Sequence, residues 1–198
     1  GAYDMYGYGE TVTLLGFTSK WWHVQIREYT GFVSADSSVL EQRTGNYYDG
    51  YATAQVHNPI STDRLNLRAE KTANSASLGK YYNGCTVAIV QKGNDGWSRV
   101  RIGNLEGYMK NQFLDFNAPK DQQTELLPKV TIQNPNGQGA NLRRQASTRV
   151  SAVALYPNGT QVRVLGIAGE WCHVLIDGEI GFMMTQYLVP RLSFESTR

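Results

Sequence analysis

The sequence predicts an all-β protein assembled from small repeated units, and three observations predict it. First, short runs alternate apolar and polar residues: Val87 and Ile89, Val100 and Ile102, Val162 and Val164, and Val174 and Ile176 each skip one position. A period of two puts successive side chains on opposite faces of a strand. Second, turn signals separate those runs, at Asn83-Gly84, Asn94-Asp95-Gly96, Gly103-Asn104, Asn158-Gly159 and Asp177-Gly178. Such dipeptides supply the positive φ that tight hairpins need. Third, the phrase GYMKNQFL at 107–114 returns as GFMMTQYL at 181–188, 74 residues later. Twenty glycines and 11% aromatic residues fit the same class.

The echo extends into a repeat. GWSRVRIGNLEGYMKNQFL (96–114) lies over EWCHVLIDGEIGFMMTQYL (170–188). Upstream, NGCTVAIV (83–90) matches NGTQVRVL (158–165), LNLR (65–68) matches ANLR (140–143), and VHNP (56–59) matches IQNP (132–135). Such extended self-similarity is the signature of a repeat architecture. A third copy stands at the front, where GETVTLL (9–15) matches GCTVAIV and KWWHVQIREYTGFV (20–33) matches GWSRVRIGNLEGYM. This copy has no Asn-Leu-Arg segment, so the expectation is a truncated unit.

Each unit of about 60 residues with five short strands is expected to form a small barrel or sandwich, since closure removes exposed sheet edges and so small a core is marginal. The expected organisation is a truncated unit at 1–40, a linker at 41–53, a unit at 54–114, a linker at 115–129, a unit at 130–190 and a tail at 191–198. Tyr47, Tyr48 and Tyr51 in the first linker and Leu126-Leu127 in the second are costly to leave exposed, so both linkers are expected to pack.

Composition narrows the function. The net charge is +2 with no basic stripe, which argues against a nucleic-acid partner. No run approaches the length of a transmembrane helix. Two cysteines, Cys85 and Cys172, are too few for a disulfide framework and read as free, packed thiols. No zinc or P-loop motif is present, so no metal and no cofactor is expected. A cysteine nucleophile needs a histidine within hydrogen-bond reach. Cys172 and His173 are neighbours on an expected strand and point to opposite faces. His23 and His173 occupy equivalent slots where the middle unit has Arg99, so both read as solvent-facing basic positions. His57 reads as a loop residue. No catalytic constellation emerges, and the chain is expected not to be an enzyme.

Trp97 takes the parity opposite to Val100 and Ile102, and Trp21 and Trp171 do the same in their copies. Two readings stand: the tryptophan caps one end of the barrel, or it walls a shallow groove for peptides or sugars. Tyr81, Tyr82 and Tyr156 precede the Asn-Gly turns, and Phe113 and Tyr187 close the units; these aromatics would complete such a groove.

The segment LNLRAEKTANSASLGKYYNGCTVAIVQKGNDGWSRVRIGNLEGYMKNQFL resembles a bacterial SH3-type (SH3b) domain. The pattern runs from the Asn-Leu-Arg start through Gly-Trp-x-x-Val to the final Gly-Tyr-Met and Phe-Leu. The third copy carries most of it, with Glu170 before Trp171 in place of glycine, and the first carries its second half. The resemblance covers roughly 150 of the 198 residues. It implies three tandem SH3-like β-barrels, the first incomplete. It further implies an extracytoplasmic location, secreted or wall-associated, with any export signal outside this chain. The implied partner is peptidoglycan or a cell-wall peptide. By analogy with the peptide groove of the related eukaryotic fold, ligand contacts are expected at Trp97 with Phe113, at Trp171 with Tyr187, and at Trp21. The leading expectation is therefore a non-catalytic envelope-binding module whose weak sites add through repetition. Two alternatives stay open: a protein–protein adaptor that uses the open edge of the incomplete first barrel, and the targeting region of a larger cell-wall hydrolase.

Overall fold

The structure is a computed structural model that describes residues 13–17, 21–26, 29–34, 48, 51–118 and 126–192; for 13–34 the description is of the backbone. The chain divides into two units, residues 1–43 and 44–198. The described part of the first is a three-stranded antiparallel sheet of β1 (Thr13–Phe17), β2 (Trp21–Ile26) and β3 (Tyr29–Ser34). Residues 1–12, Tyr47, the linker positions 119–125 and the tail from 193 onward lie outside the described residues.

Among its described residues the second unit is all β, with two single-turn 3₁₀ segments. Its middle segment holds β4 (Ala52–Val56), β5 (Leu65–Arg68), β6 (Ser77–Tyr81), β7 (Thr86–Lys92), β8 (Trp97–Ile102), β9 (Leu105–Lys110) and β10 (Leu114–Asp115). Its C-terminal segment holds β11 (Lys129–Ile132), β12 (Ala140–Arg143), β13 (Ala152–Tyr156), β14 (Gln161–Ala168), β15 (Trp171–Ile176), β16 (Glu179–Met184) and β17 (Leu188–Val189). Both segments use the same pairings. β8–β9 and β15–β16 are hairpins with Trp97 opposite Lys110 and Trp171 opposite Met184. Arg68 of β5 faces Tyr108 as Arg143 of β12 faces Phe182. Each long central strand carries a bulge at the same place, between Ile89 and Gln91 and between Val164 and Gly166.

Period-two alternation explains part of the cores; β7 departs from it, because Thr86 and Ala88, expected on a wetter face, are buried along with Val87 and Ile89. Ser98, Val100 and Ile102 are buried along β8 while Trp97, Arg99 and Arg101 keep some exposure. Val87, Val100, Met109 and Leu67 fill the middle core; Val164, Val174, Met183 and Leu142 fill the C-terminal one. Cys85 and Cys172 are free thiols within these two cores.

The two segments are not joined by linker contact alone. β6 pairs antiparallel with β14, with Tyr81 opposite Gly166 and Lys80 opposite Ile167, so a single sheet path runs from β10 to β13. Leu165 and Ile180 of the C-terminal segment join the middle core, as does Leu127 of the second linker. Leu127 is buried and Leu126 is exposed, so one member of that pair packs. In the first linker, Tyr48 donates its hydroxyl to the Thr86 carbonyl at 3.1 Å, and β4 already begins at Ala52. Gly166 permits the strand approach: a Cβ there would lie 2.6 Å from Tyr81 Cδ1 and 2.7 Å from the Lys80 carbonyl.

The junction overturns two expectations. Tyr81, expected at a ligand groove, is fully buried between the segments. His173, expected to face solvent, is 1% exposed. The cause is the same for both: β6 adds on to the edge of β14, so the Tyr81 side chain reaches across Gly166 to His173 on β15, while Gly103 of the β8–β9 turn lies against the other ring nitrogen. Tyr81 Oη and His173 Nδ1 share a hydrogen bond of 2.9 Å, and the imidazole stacks on Phe182 at 4.1 Å with the planes 7° apart. Burial without a countercharge pushes the His173 pKa down to about 3, so the ring is neutral.

Candidate ligand groove

The outward parity of β15 starts the site. Trp171 is half-buried on the face opposite Cys172 and Val174. Across the hairpin stands Met184. The 3₁₀ turn Thr185–Tyr187 follows it, and Thr185 anchors that turn by donating its backbone N–H (2.9 Å) and its hydroxyl (3.0 Å) to the Glu170 carbonyl. This anchor sets Tyr187 beside Trp171. The two rings line one groove of about 490 Å³, together with Leu155, Met184, Asn141 and Arg143.

The polar wall is built by loop chemistry. The Asn134 backbone N–H donates to the Asn158 side-chain oxygen at 2.8 Å, and Asn158 Nδ2 donates to the Asn134 carbonyl at 2.9 Å. The Asn134 side chain donates to the Gly139 carbonyl at 2.7 Å. Gly139 has φ 74°, and a Cβ there would lie 2.1 Å from the Tyr156 carbonyl, so only glycine fits. Arg143 Nη1 donates to the Val150 carbonyl, which tethers the guanidinium at the groove wall.

The middle segment places Trp97 and Phe113 in corresponding positions but surrounds them differently. Lys80 occupies the register of Leu155, and Lys110 that of Met184. Lys110 Nζ lies 5.6 Å from the Trp97 ring centroid, a cation–π arrangement. Phe113 packs against the middle core. On the same face Glu106 pairs with Arg99 at 2.6 Å and Arg101 at 2.5 Å; the Arg101 hydrogen bond, with both guanidinium charges, holds its carboxyl below the usual range.

Of the remaining expected residues, Tyr82 is half-buried against both cores, with the Arg64 guanidinium 4.9 Å above its ring. Burial raises its phenol pKa. Tyr156 packs against the C-terminal core, and its neighbour Leu155 lines the groove, because adjacent strand residues point to opposite faces. Trp21 opens β2 opposite Ser34; its side chain lies outside the described residues. Leu155, Met184 and Arg143 were missed by sequence reasoning. The signal for Met184 was available, since the hairpin sets it opposite Trp171; Leu155 and Arg143 reach the tryptophan face only through the pairing of β12 with β13 and β16.

Burial pushes the Cys172 thiol up to about 12 and the Cys85 thiol further, so both stay protonated at neutral pH. Among the described residues, no three His, Cys, Asp or Glu side chains gather where they could hold a metal ion, and no helix is long and apolar enough to cross a membrane.

Residues 63–115 match the family described as Bacterial SH3 domain, a span running from just before β5 through β10. A curated relative is the putative N-acetylmuramoyl-L-alanine amidase YrvJ of Bacillus subtilis (strain 168), 22% identical over 179 residues that make up 85% of this chain and 34% of the relative. The chain thus spans about a third of that relative's length. Among solved structures, NlpC2 from Trichomonas vaginalis is 19% identical with a TM-score of 0.33, covering 71% of this chain and 48% of the other. NlpC1 from the same organism is 19% identical with a TM-score of 0.34, covering 72% and 46%. A putative autolysin from Listeria monocytogenes is 14% identical with a TM-score of 0.21, covering 84% and 74%.

Proposed function

We propose that this chain is a non-catalytic binding module of the bacterial cell envelope, acting outside the cytoplasm on peptidoglycan. In this reading the middle and C-terminal segments are both SH3-like units and residues 13–34 belong to a third. The observation that carries the proposal is the groove of Trp171, Tyr187, Leu155 and Met184 with Arg143 at its wall. Aromatic faces and a flexible thioether suit the apolar parts of a short peptide. A guanidinium suits a carboxylate of the same ligand. A stem peptide of peptidoglycan offers both chemistries. The β6–β14 junction holds two such units in one sheet, so ordering them adds no cost on binding.

A second reading is compatible with the first. The relative named as an amidase is about three times as long as the matching segment, which supports a role as the targeting region of a larger wall hydrolase. Catalysis would then reside elsewhere, consistent with both thiols being buried and protonated.

The test is co-sedimentation with purified insoluble peptidoglycan. Wild type is expected to pellet, Trp171→Ala to remain in the supernatant while folded by circular dichroism, and Trp97→Ala to lose less. A wild type that stays soluble on sacculi of several wall types would overturn the proposal.

A further inference from the structure

The β6–β14 junction has a recognisable acceptor. On β14 it consists of Leu165, Gly166 and Ile167; behind them, in ladder register, stand His173 on β15 and Phe182 on β16. Each part has a function. Leu165 accepts a hydrogen bond from the Tyr82 N–H at 3.0 Å. Gly166 admits the Tyr81 ring, which a Cβ would meet at 2.6 Å. His173 Nδ1 shares a hydrogen bond with the Tyr81 hydroxyl, and Phe182 stacks beneath the imidazole. Gly166 has no positive φ, so close approach of the neighbouring strand is the physical reason for glycine there.

The middle segment supplies an internal control. The same positions are Val90, Gln91 and Lys92, with Arg99 and Tyr108 behind them in the same register. Gln91, Lys92 and Arg99 are exposed, and among the described residues β7 pairs with β4 and β8 only. A side chain at the glycine position and a charge at the histidine position accompany an edge that takes no further strand among the described residues.

The first segment carries the acceptor set, not the control set. β1 contains Leu15, Gly16 and Phe17, with a bulge between Leu14 and Gly16. Gly16 is opposite His23, and His23 is opposite Phe32. These are the register relations of Gly166, His173 and Phe182. Among the described residues β1 pairs with β2 alone.

We propose that the outer edge of β1 at Leu15–Phe17 is a docking edge for a further SH3-like repeat that presents an unpaired Gly-x-Tyr-Tyr strand, the form of Gly79–Tyr82. The proposal rests on reading these segments as repeated units and is independent of wall binding. The donor favours glycine at the position of Gly79, where a Cβ would press to 3.3 Å of the Ile167 carbonyl. It needs tyrosine for the histidine, and an N–H at the position of Tyr82. β13 of a second copy fits less well. Tyr156 stands in the register of Tyr81, but Ala154 replaces Gly79 and Pro157, with no N–H, follows.

The test uses the full chain, ¹⁵N-labelled, titrated with the synthetic peptide Ala-Ser-Leu-Gly-Lys-Tyr-Tyr-Asn-Gly of residues 76–84 and followed by amide shifts. Saturable shifts are expected at Gly16, Phe17 and His23, with Gln91 and Lys92 unmoved. A peptide with alanine in place of the first tyrosine, and a Gly16→Gln chain whose other resonances are unchanged, should each bind at least about tenfold more weakly. The proposal is overturned by absent saturable shifts at any soluble peptide concentration, by shifts confined to β14, or by equal binding to Gly16→Gln. It is equally overturned if, without peptide, the chain self-associates on size exclusion in a manner that Gly16→Gln abolishes, since the edge would then belong to a second copy.

Discussion

Tyr81 and His173 lie 92 residues apart in the chain, yet their side chains share a buried hydrogen bond of 2.9 Å. His173 Nε2 has no hydrogen-bond partner, so Tyr81 provides the imidazole's single polar contact. Tyr81→Phe would leave the ring buried with neither nitrogen paired. Leaving a buried polar group unsatisfied costs about 1–3 kcal/mol. Urea unfolding should show a loss of that size. A change near zero would mean the junction opens readily to water.

The same imidazole sets a pH dependence. Its pKa falls from 6.5 to about 3 on folding. Between those values the unfolded chain binds a proton that the folded chain does not, so stability falls as pH drops below the unfolded pKa. From pH 7 to pH 5 the loss attributable to His173 should be about 2 kcal/mol. His173→Gln should flatten the stability–pH curve between pH 7 and 5. An unchanged slope in that variant would assign the effect to other groups.

Gly166→Gln, which installs the residue found at Gln91, should break the junction. The new side chain would start 2.6 Å from Tyr81 and 2.7 Å from the Lys80 carbonyl. Overpacking of this kind costs about 1–3 kcal/mol. Hydrogen exchange should rise in β6 and β14 while the β8–β9 hairpin stays protected. Protection lost uniformly would show instead that the segments have no independent stability.

Leu155 is 62% exposed at the groove, and Lys80 holds its register in the middle segment. Leu155→Lys should change stability by less than about 0.5 kcal/mol, as exposed substitutions do. Pelleting with peptidoglycan should nonetheless weaken. Retained pelleting would remove the apolar wall from the proposed site.

Cys85 and Cys172 should resist thiol reagents in the folded protein, since burial raises both thiol pKa values. Both should react once the chain is unfolded. Rapid labelling of either under native conditions would contradict the cores described for these segments.

The groove was half legible in the sequence. Trp171 and Tyr187 are found together on it because their strand parity and the turn after β16 are local properties. Leu155 and Arg143 come from β13 and β12, and only the pairing of those strands with each other and with β16 brings them there. Tyr81 was misplaced because Tyr81 and Tyr156 hold equivalent positions in their segments yet have different neighbours. One lies on a strand that pairs with β14, and the other ends a strand that, among the described residues, pairs with β12 alone.

By itself the sequence determined the all-β class, the inward residues Val87, Val100, Ile102, Val162, Val164, Val174 and Ile176 and the correspondence of the hairpins, since side-chain alternation and turn chemistry act within a few residues. The tertiary structure alone decided which outward-facing positions remain outward. His173 and Arg99 stand at the same place on equivalent strands, one enclosed by Tyr81 where β6 joins β14 and the other exposed. A strand's outer face is solvent or interface according to what another segment lays over it, and that depends on an edge 90 residues away and on whether a Cβ leaves room for it.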